Sequence, residues 1–551
     1  MPAIIMTHTA SITPLRAAEA DATQVERGLQ DTERHFAPPD SAPQGPALDA
    51  VPQKGRMQET GTFLLSGVRV TGAPLLEPEI LVPIYEAHVA TEIDEQTILK
   101  IVDGITARLK IKGYPLSYAR VPPQQIAAGI LTIDIVAGRV GELNISGTSD
   151  PERYRTYFRE LLESPVATKS LLERPILLVH DSPGVSVSDI ALQEQEDHPG
   201  IYALSLALAE IPLSASIHAG NRGTRAAGPV QVGVSASYND PFSINDQASV
   251  TYFTAPDTPR ELQYLQGSYM VPVGTSGLTM KISSAYSAVD AGGSLGDVGT
   301  ESSSFSSDVM LRYPIIRSRS LSLWMAAKAD VRDSREDNDL GPVFDDRLVV
   351  LRGSVEFSAA DAHGGQNYIF IEVAQGLSVA GTSKRGDSML SRVDGGGSFT
   401  KISGEIYRRQ ELFSPELALV MRASGQKSTD ALLSAEEFGL GGGLFGRAYQ
   451  YGELTGDHGL AASIELDYSP ELVVGPASAP TFYSFYDIGS VWNDGGLLEG
   501  RHSLASAGAG LRFRIGESMT FGFEVAKPLT KKVDEGDDRS LQYFFSVGAN
   551  L

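Results

Sequence analysis

One serine in the sequence has the spacing of a hydrolase nucleophile. It lies in Gly292-Gly293-Ser294-Leu295-Gly296, which matches the G-x-S-x-G pattern. In serine hydrolases that serine occupies a turn between a strand and a helix, with a histidine and an acid within reach. The segment here is a Gly/Ser-rich stretch between two predicted strands, and we expect no helix after it. We therefore interpret it as a flexible loop rather than as a catalytic site.

A run of glycines later in the chain matches a dinucleotide-binding pattern. Gly441-Gly442-Gly443-Leu444-Phe445-Gly446 contains the spacing G-x-G-x-x-G. A dinucleotide site needs that spacing between a parallel strand and a helix. Alternating strands surround this segment instead, so we predict no bound cofactor.

Acidic residues are concentrated between Asp330 and Asp346, where a divalent cation is the ligand to consider. The segment lacks the glycine position of a calcium loop, so we interpret it as a solvated external loop. The sequence contains no spacing of His with Glu that is typical of a metal site. We therefore predict neither a metal site nor an enzyme.

A carboxylate in the last third of the sequence is a stronger candidate for a functional role. Phe485, Asp487 and Gly489 share one face of a predicted strand. If Tyr486 and Ile488 face lipid, Asp487 points into the interior of a β-barrel. A carboxylate in that position is best stabilised by a cation, and a guanidinium offers it two parallel hydrogen bonds.

Arg447 is the candidate partner of Asp487. It lies in Gly446-Arg447-Ala448-Tyr449, within a Gly-rich segment that spans residues 437–459 and interrupts two strands. That segment is long enough to fold into a barrel, which predicts an ion pair between Arg447 and Asp487. The alternative is two unrelated solvated charges.

Composition excludes several classes of protein. The 551 residues include 45 Lys and Arg against 68 Asp and Glu, a formal net charge of −23. An acidic chain is a poor candidate for binding nucleic acid, because phosphate contacts need a basic surface. The absence of cysteine excludes a disulfide scaffold, a cysteine-ligated metal and a cysteine nucleophile. No run of 18 apolar residues occurs, but membrane β-strands alternate and leave no such run.

Strands of that alternating kind begin after Pro212, where a two-residue period replaces helical periodicity. The longest alternating row contains the apolar residues Leu321, Leu323, Met325, Ala327, Ala329 and Val331. The polar residues opposite are small, unlike those of a solvated sheet face. The remaining 551 − 212 = 339 residues hold about sixteen strands, which predicts a transmembrane antiparallel β-barrel over residues 213–551. A large soluble β-sandwich or propeller is the alternative.

The first 60 residues do not have the pattern of a packed domain. An apolar stretch followed by the small-x-small sequence Ala18-Glu19-Ala20 predicts an export signal over residues 1–20, with a disordered tail as the alternative. Residues 21–36 predict a short helix with a thin apolar stripe. The Pro-rich residues 37–60 predict a linker.

Two small α+β modules are predicted between the linker and the barrel. Residues 61–141 read as strand, helix, helix, strand, strand, with Asp94 to Lys112 as the strongest helix pattern. Residues 142–212 repeat that order, and Ile176 to Val179 is interpreted as one of its strands. We therefore predict a tandem repeat of one module.

Together these segments resemble the haemolysin secretion/activation family, the two-partner (type V) secretion transporters of the outer membrane. The resemblance covers nearly the whole chain and depends on the joint order of motifs that are weak individually. These motifs are Lys112-Gly113-Tyr114-Pro115-Leu116-Ser117-Tyr118-Ala119, Leu172-Glu173-Arg174-Pro175, Asp181-Ser182-Pro183-Gly184-Val185, Asn221-Arg222-Gly223, and Phe485 with Asp487 and Gly489.

The resemblance implies a fold and a function. Residues 61–141 and 142–212 would be two POTRA domains in the periplasm of a Gram-negative bacterium, and residues 213–551 a barrel of about sixteen strands. A large exoprotein, an adhesin or haemolysin, would bind the POTRA domains and thread through the barrel without nucleotide hydrolysis. In that family a helix, here residues 21–36, can plug the pore, and the loop that carries Arg447 folds inward.

The resemblance also implies partners and raises one doubt. We expect outer-membrane lipid around a monomeric barrel, insertion by the barrel-assembly machinery, and no nucleic acid. The family's inward loop usually reads Val-Arg-Gly before Tyr or Phe, whereas Ala448 here replaces that glycine. The substitution puts the backbone geometry of the loop in doubt, but not the role of Arg447.

Three other classes of protein remain as alternatives. An outer-membrane-protein assembly factor shares the barrel and the inward loop, but it usually has more POTRA modules and no plug helix. A passive porin would leave 212 residues of periplasmic structure without a role. An enzyme is disfavoured because the motifs that would support one lack their structural context.

Overall fold

The chain folds into two compact units. A computed structural model describes residues 20–36, 61–474, 477–493, 500–516, 518–533 and 538–551. The predicted linker at residues 37–60 lies outside them, as does the predicted export signal except for its last residue. One unit contains an N-terminal helix and the barrel, and the other contains the α+β modules. None of the described helices has both the length and the apolar character needed to cross a bilayer.

The N-terminal helix, α1, spans Ala22–Phe36. Asp21 lies before its first turn, where its carboxylate accepts a hydrogen bond from the backbone N–H of Thr23 at 2.8 Å. This contact satisfies one of the free N–H groups at the helix start. Ala22, Val25 and Leu29 are buried on one face.

The first module is a sheet covered by helices. Its sheet contains β2 parallel to β5 and β4 antiparallel to β5, while β1 pairs with β3. Helix α3 is the strong helix predicted from the sequence, and its first turn is capped by Asp94, which accepts from the Thr97 N–H at 2.9 Å. The elements are β1 (Phe63–Leu64), β2 (Gly67–Gly72), α2 (Pro78–Tyr85), β3 (Glu92–Ile93), α3 (Glu95–Ile111), β4 (Tyr118–Arg120) and β5 (Ile130–Val136).

The second module repeats the topology of the first. Its first strand β6 is parallel to the last strand β8, and the middle strand β7 is antiparallel to β8. The elements are β6 (Arg139–Ser146), α4 (Pro151–Arg155), α5 (Arg159–Glu163), α6 (Lys169–His180), β7 (Val185–Glu194) and β8 (Ile201–Glu210). The same strand order and directions in both modules are what a tandem repeat requires.

The strand expected at Ile176 to Val179 is wrong, because these residues belong to α6. Leu172, Ile176 and Val179 are buried at helical spacing, and the hydroxyl of Thr168 accepts from the first turn of the helix. A short apolar run has no period that distinguishes a strand from a buried helix. Packing against the sheet decides between them here.

A hydrogen bond links strands of the two modules. The Tyr118 hydroxyl donates to the Glu194 carboxylate at 2.7 Å. Burial raises the pKa of Tyr118, and the hydrogen bond to Glu194 raises it further, so the phenol remains a donor. The two modules therefore share a polar contact as well as a backbone junction.

In the unit that contains α1, the strands form a closed antiparallel barrel of 16 strands, as the alternating pattern predicts. Its last strand, β27, pairs with its first, β9, which removes both sheet edges. Two short strands, β20 and β21, pair with each other outside the wall, and the two-residue strand β23 pairs with β24. In chain order the strands are β9 (Leu213–Gly220), β10 (Gln231–Asn239), β11 (Gln247–Thr254), β12 (Gln263–Pro272), β13 (Thr279–Asp290), β14 (Glu301–Arg317), β15 (Leu321–Asn338), β16 (Gly341–Ala360), β17 (Gly365–Gly376), β18 (Thr400–Glu411), β19 (Leu417–Ser428), β20 (Phe438–Leu440), β21 (Leu454–Gly456), β22 (His458–Tyr468), β23 (Val473–Val474), β24 (Ala477–Asn493), β25 (Gly500–Ile515), β26 (Met519–Pro528) and β27 (Gln542–Asn550).

The acid-rich segment from Asp330 to Asp346 is not the solvated loop expected from its composition. It forms the paired ends of β15 and β16, which have 18 and 20 residues and meet at the turn between Asn338 and Gly341. A strand needs only about 9–11 residues to cross a bilayer, so this hairpin is much longer than the membrane is thick. Glu336 and Asp346 are buried because the inward face of both strands continues through the acidic stretch.

The serine of the hydrolase-like pattern lies in a loop between β13 and β14, as predicted. A single helical turn, α7 (Gly293–Gly296), forms within the pattern, and the next element is the strand β14, so no helix follows the serine, as expected. The turn contains Ser294 itself and is too short to support a catalytic elbow, in which a full helix follows the serine.

Candidate functional site

A long loop fills part of the barrel interior. It runs from the end of β19 to the start of β22, and its β20 and β21 form a small hairpin. The predicted bounds, 437–459, therefore start too late and include the first two residues of β22. We call residues 429–457 the inward loop. Its buried apolar residues pack with residues of the barrel wall. The cluster that they form includes Phe438, Leu440, Leu444, Phe445, Ala448, Tyr449, Leu454, Tyr483, Phe485, Val491 and Leu504.

Arg447 of the inward loop contacts Asp487 on β24. Its Nε and Nη2 donate to the two carboxylate oxygens at 3.1 and 3.0 Å, and its backbone N–H donates at 3.0 Å. Asp487 is fully buried, whereas its neighbours Tyr486 and Ile488 are exposed on the outer face. The residues predicted to meet are thus brought together on the inner wall, in the two-pronged geometry expected of a guanidinium.

Wall residues on either side of Asp487 complete the cage around this ion pair. Ser463 on β22 and Ser506 on β25 are its cross-strand neighbours, and their hydroxyls donate to it at 2.7 and 3.2 Å. Arg447 also donates to Glu465, and its guanidinium carbon lies 3.5 Å from the centre of the Phe485 ring. Every contact site of the Asp487 carboxylate is therefore satisfied, as a buried charge requires.

Further charges extend the cage around the barrel wall. Arg512 donates to Glu465 at 2.8 Å, and Arg222 pairs with Glu524. Arg222, which follows the first barrel strand, also donates to the Arg447 carbonyl at 3.1 Å. The position of the inward loop therefore depends on residues from several strands and not on one pair alone.

Ala448 fits the loop without strain. Ala448 is not one of the described non-glycine residues that have a positive φ. The positive φ of this motif, +82°, lies at Gly446, where a side chain would also meet Leu504 at 2.6 Å. The doubt raised by alanine at position 448 is thus removed, because the backbone geometry needs glycine at position 446, two residues earlier.

The other motif residues have structural tasks. The Tyr449 hydroxyl donates to the carbonyl of Lys531 at 2.9 Å. A side chain at Gly489 would lie 2.6 Å from Leu440 of the inward loop, so that glycine permits the close approach of loop and wall.

A second anchor of the inward loop was not predicted from the sequence. Glu436 is buried and pairs with Arg352 on β16 and Lys401 on β18 at 2.5 and 2.6 Å. The next residue, Glu437, pairs with Arg392 at 2.9 Å. Adjacent buried carboxylates with separate cations fix the start of the loop, but nothing in their spacing relates them to partners on distant strands.

Helix α1 lies inside the barrel against the inward loop. The side chain of Gln24 donates to the Ser434 carbonyl at 2.5 Å, and the Ser434 hydroxyl donates to Asp21 at 2.6 Å. Further along the helix, Asp31 accepts from the backbone N–H of Gly443 at 2.6 Å. The inward loop therefore contacts α1 at its start and again at Asp31.

The other face of α1 contacts the barrel wall. Val25 and Leu29 pack into a cluster with wall and loop residues that include Phe253 and Tyr264. Glu26 pairs with Arg332 on β15 at 2.7 Å. The apolar stripe of the helix is narrow, and most of its remaining contacts are hydrogen bonds and ion pairs.

No group of three or more His, Cys, Asp and Glu side chains with metal-binding geometry occurs in the parts of the chain that the structure covers. The buried charges instead pair with one another and with the inward loop. This arrangement can hold a loop and a helix inside a channel.

Comparisons with solved structures agree with this fold. CdiB from Escherichia coli is 18% identical and superposes with a TM-score of 0.75, covering 98% of this chain and all of that one (100%). CdiB from Acinetobacter baumannii is 16% identical, with a TM-score of 0.66 over 96% of this chain and 99% of that one. A curated relative, the heme/hemopexin transporter protein HuxB of Haemophilus influenzae strain 86-028NP, is 20% identical over 476 residues, 85% of this chain and 83% of its own length.

Family models match both parts of the chain. Residues 63–138 match the POTRA domain, ShlB-type, which confirms the interpretation of the first module. Residues 207–513, more than half of the chain, match the haemolysin secretion/activation protein ShlB/FhaC/HecB. With its closed barrel, periplasmic POTRA-type domain and inward loop, the chain belongs to that family, the two-partner secretion transporters of the outer membrane.

Proposed function

We propose that this transporter exports one large exoprotein of adhesin or haemolysin type through its barrel, and that α1 closes the barrel between export events. The observation that carries the proposal is the position of α1, which lies in the barrel interior where an exported chain must pass. Outside its narrow apolar stripe, most of its contacts are polar, so water and a passing peptide can replace these contacts at a low cost. The predicted linker at residues 37–60 would let the helix leave and return.

The two modules receive the exoprotein in this proposal. The match to a POTRA domain supports the role of the first module. The identical strand order of residues 142–212 supports a second POTRA domain there. An extended segment of the exoprotein can add to a sheet edge, which recognises backbone more than sequence.

Export in this proposal needs no enzyme activity and no nucleotide hydrolysis. The ion pair of Arg447 and Asp487 holds the inward loop in the geometry that exports. The protein acts as a monomer in outer-membrane lipid, after removal of an export signal at residues 1–20 and insertion by the barrel-assembly machinery. It binds neither nucleic acid nor a cofactor.

Deleting the gene distinguishes this function from that of an assembly factor. Under our proposal one exoprotein disappears from the culture medium and cell surface, and the other outer-membrane proteins keep their levels. An assembly factor would instead lower the levels of many barrel proteins. Complementation with the full chain is the control, and an unchanged set of exported proteins would contradict the proposal.

A further inference from the structure

Arg332 lies on the inner face of β15 and depends on α1 for its counter-ion. Its Nη1 and Nη2 contact the two Glu26 oxygens at 2.7 and 3.3 Å. Within the part of the chain that the structure describes, Glu26 is the one carboxylate at ion-pair distance from Arg332. The nearby wall carboxylate, Asp330, lies 2.7 Å from Arg352 instead.

Two serines on the neighbouring strand β14 add further contacts, one to Arg332 and one to the backbone at the start of α1. Ser304 accepts from the Arg332 guanidinium at 3.2 Å. The Ser302 hydroxyl accepts from the backbone N–H of Ala22 at 3.0 Å. We call Ser302, Ser304 and Arg332 the Arg332 patch. It thus contacts the backbone of one peptide segment and a carboxylate four residues beyond Ala22.

Other wall arginines are paired differently. Arg312 on β14 pairs with Glu356 on β16 at 3.0 Å, and Arg352 pairs with Asp330 and with Glu372 on β17. Those carboxylates belong to the wall and stay when a helix leaves the lumen. Arg332 would lose its carboxylate with α1, which leaves a guanidinium whose fork geometry fits another carboxylate.

We propose that the Arg332 patch is a binding site for acidic side chains of the exported polypeptide, and that Glu26 occupies it at rest. The inference rests on the proposed function, in which α1 leaves the lumen during export. One carboxylate and one backbone segment are the whole of the recognition, so a moving chain can engage the patch with successive Asp or Glu residues. The ligand is therefore an extended acidic peptide.

Single-channel recording in planar bilayers tests the site with the full chain. Glu26→Gln removes the resting occupant, and a soluble Gly/Ser peptide that carries glutamates is added on the POTRA side. The same peptide with glutamines is the matched probe. We expect the glutamate peptide to shorten channel openings at a concentration about tenfold lower, a difference that one charge-assisted contact can supply.

Two further variants assign the preference to one residue. The stronger block by the glutamate peptide should disappear in Glu26→Gln/Arg332→Gln. It should persist in Glu26→Gln/Arg312→Gln, which removes an arginine whose partner belongs to the wall. Arg332→Lys in place of Arg332→Gln should keep part of it, since the charge remains without the fork. Heat-modifiable migration on gels verifies that each barrel is folded.

The possible failures are distinguishable. Equal block by both peptides in Glu26→Gln, or a preference that survives Arg332→Gln, overturns the site and leaves the plug role of α1 intact. Channels that stay closed in all of these variants and also after deletion of the helix contradict the plug role, and the inference falls with it.

Discussion

The Asp487 carboxylate accepts three hydrogen bonds from Arg447, two from the guanidinium and one from the backbone N–H. The backbone contact fixes where the loop lies, and the side-chain contacts fix its orientation. Two wall serines use the remaining acceptor positions of Asp487. Asp487 therefore holds the inward loop at Arg447, alongside the other wall residues that contact the loop.

We expect Arg447→Ala and Asp487→Ala each to abolish export while the barrel stays folded. Removing one partner leaves the other charge buried without a counter-ion, at a cost of roughly 3–5 kcal/mol when it is fully buried and less where water reaches it. The strand ladder does not depend on the contact, so heat-modifiable migration should persist. Arg447→Lys should fail to restore export, because an ammonium cannot make the two-pronged contact.

Coupling between Arg447 and Asp487 is tested by the double variant. Because residues in one network are non-additive, Arg447→Ala/Asp487→Ala should be no worse than either single change. Arg312→Ala is the control, since its partner Glu356 lies on the wall away from the loop. Simple addition of the two effects, or normal export by Arg447→Ala, would show that the pair does not act as a unit.

The second anchor of the loop should control the resting state of the channel. Glu436→Gln removes the carboxylate that Arg352 and Lys401 share, a loss of about 1.5–3 kcal/mol for hydrogen bonds to a charged group. Because α1 docks on Ser434 beside it, we expect higher resting conductance in planar bilayers. Glu356→Gln is the matched control, and equal conductance of both variants would refute the anchor role.

A disulfide between α1 and the inward loop should block export reversibly. A Cβ placed on Gly28 would lie 3.2 Å from the Cβ of Tyr451, close to the distance that a disulfide requires. The chain has no cysteine of its own, so Gly28→Cys/Tyr451→Cys forms no competing bond. Oxidised protein should not export, reduction should restore export, and either single cysteine should behave normally. Export that continues with the bond formed would mean that α1 need not leave.

Deleting residues 21–53 should raise single-channel conductance, because it removes the helix that lies in the lumen. The measurement is the conductance of purified protein in planar bilayers, with the full chain as the reference. A conductance equal to that of the full chain would contradict the plug role.

The modules should be required for export but not for insertion. A chain that begins at Leu213 keeps every wall strand, from β9 onward, so it should insert and show heat-modifiable migration. It should export nothing, since the sheets that receive the exoprotein are gone. Normal export by that chain would remove the modules from the mechanism.

Local sequence patterns predict much of the fold of this protein. A two-residue period places successive side chains on opposite faces of a strand, so the barrel is predictable without knowing which strands pair. For the same reason Asp487 could be assigned to the inner face from its exposed neighbours Tyr486 and Ile488. The helical period and the cap at Asp94 likewise predict α3.

Tertiary structure decided the features that depend on contacts between distant residues. Residues 176–179 are helical, although their short apolar run does not by itself distinguish a strand from a buried helix. Packing of that segment against the sheet of the second module determines its conformation. Glu436 meets Arg352 and Lys401, and Glu26 meets Arg332, only because the barrel closes around the loop and the helix. A charged residue at an inward position indicates that a partner of opposite charge is needed. Which residue is the partner depends on which strands face each other across the lumen. Local sequence patterns do not show which strands those are.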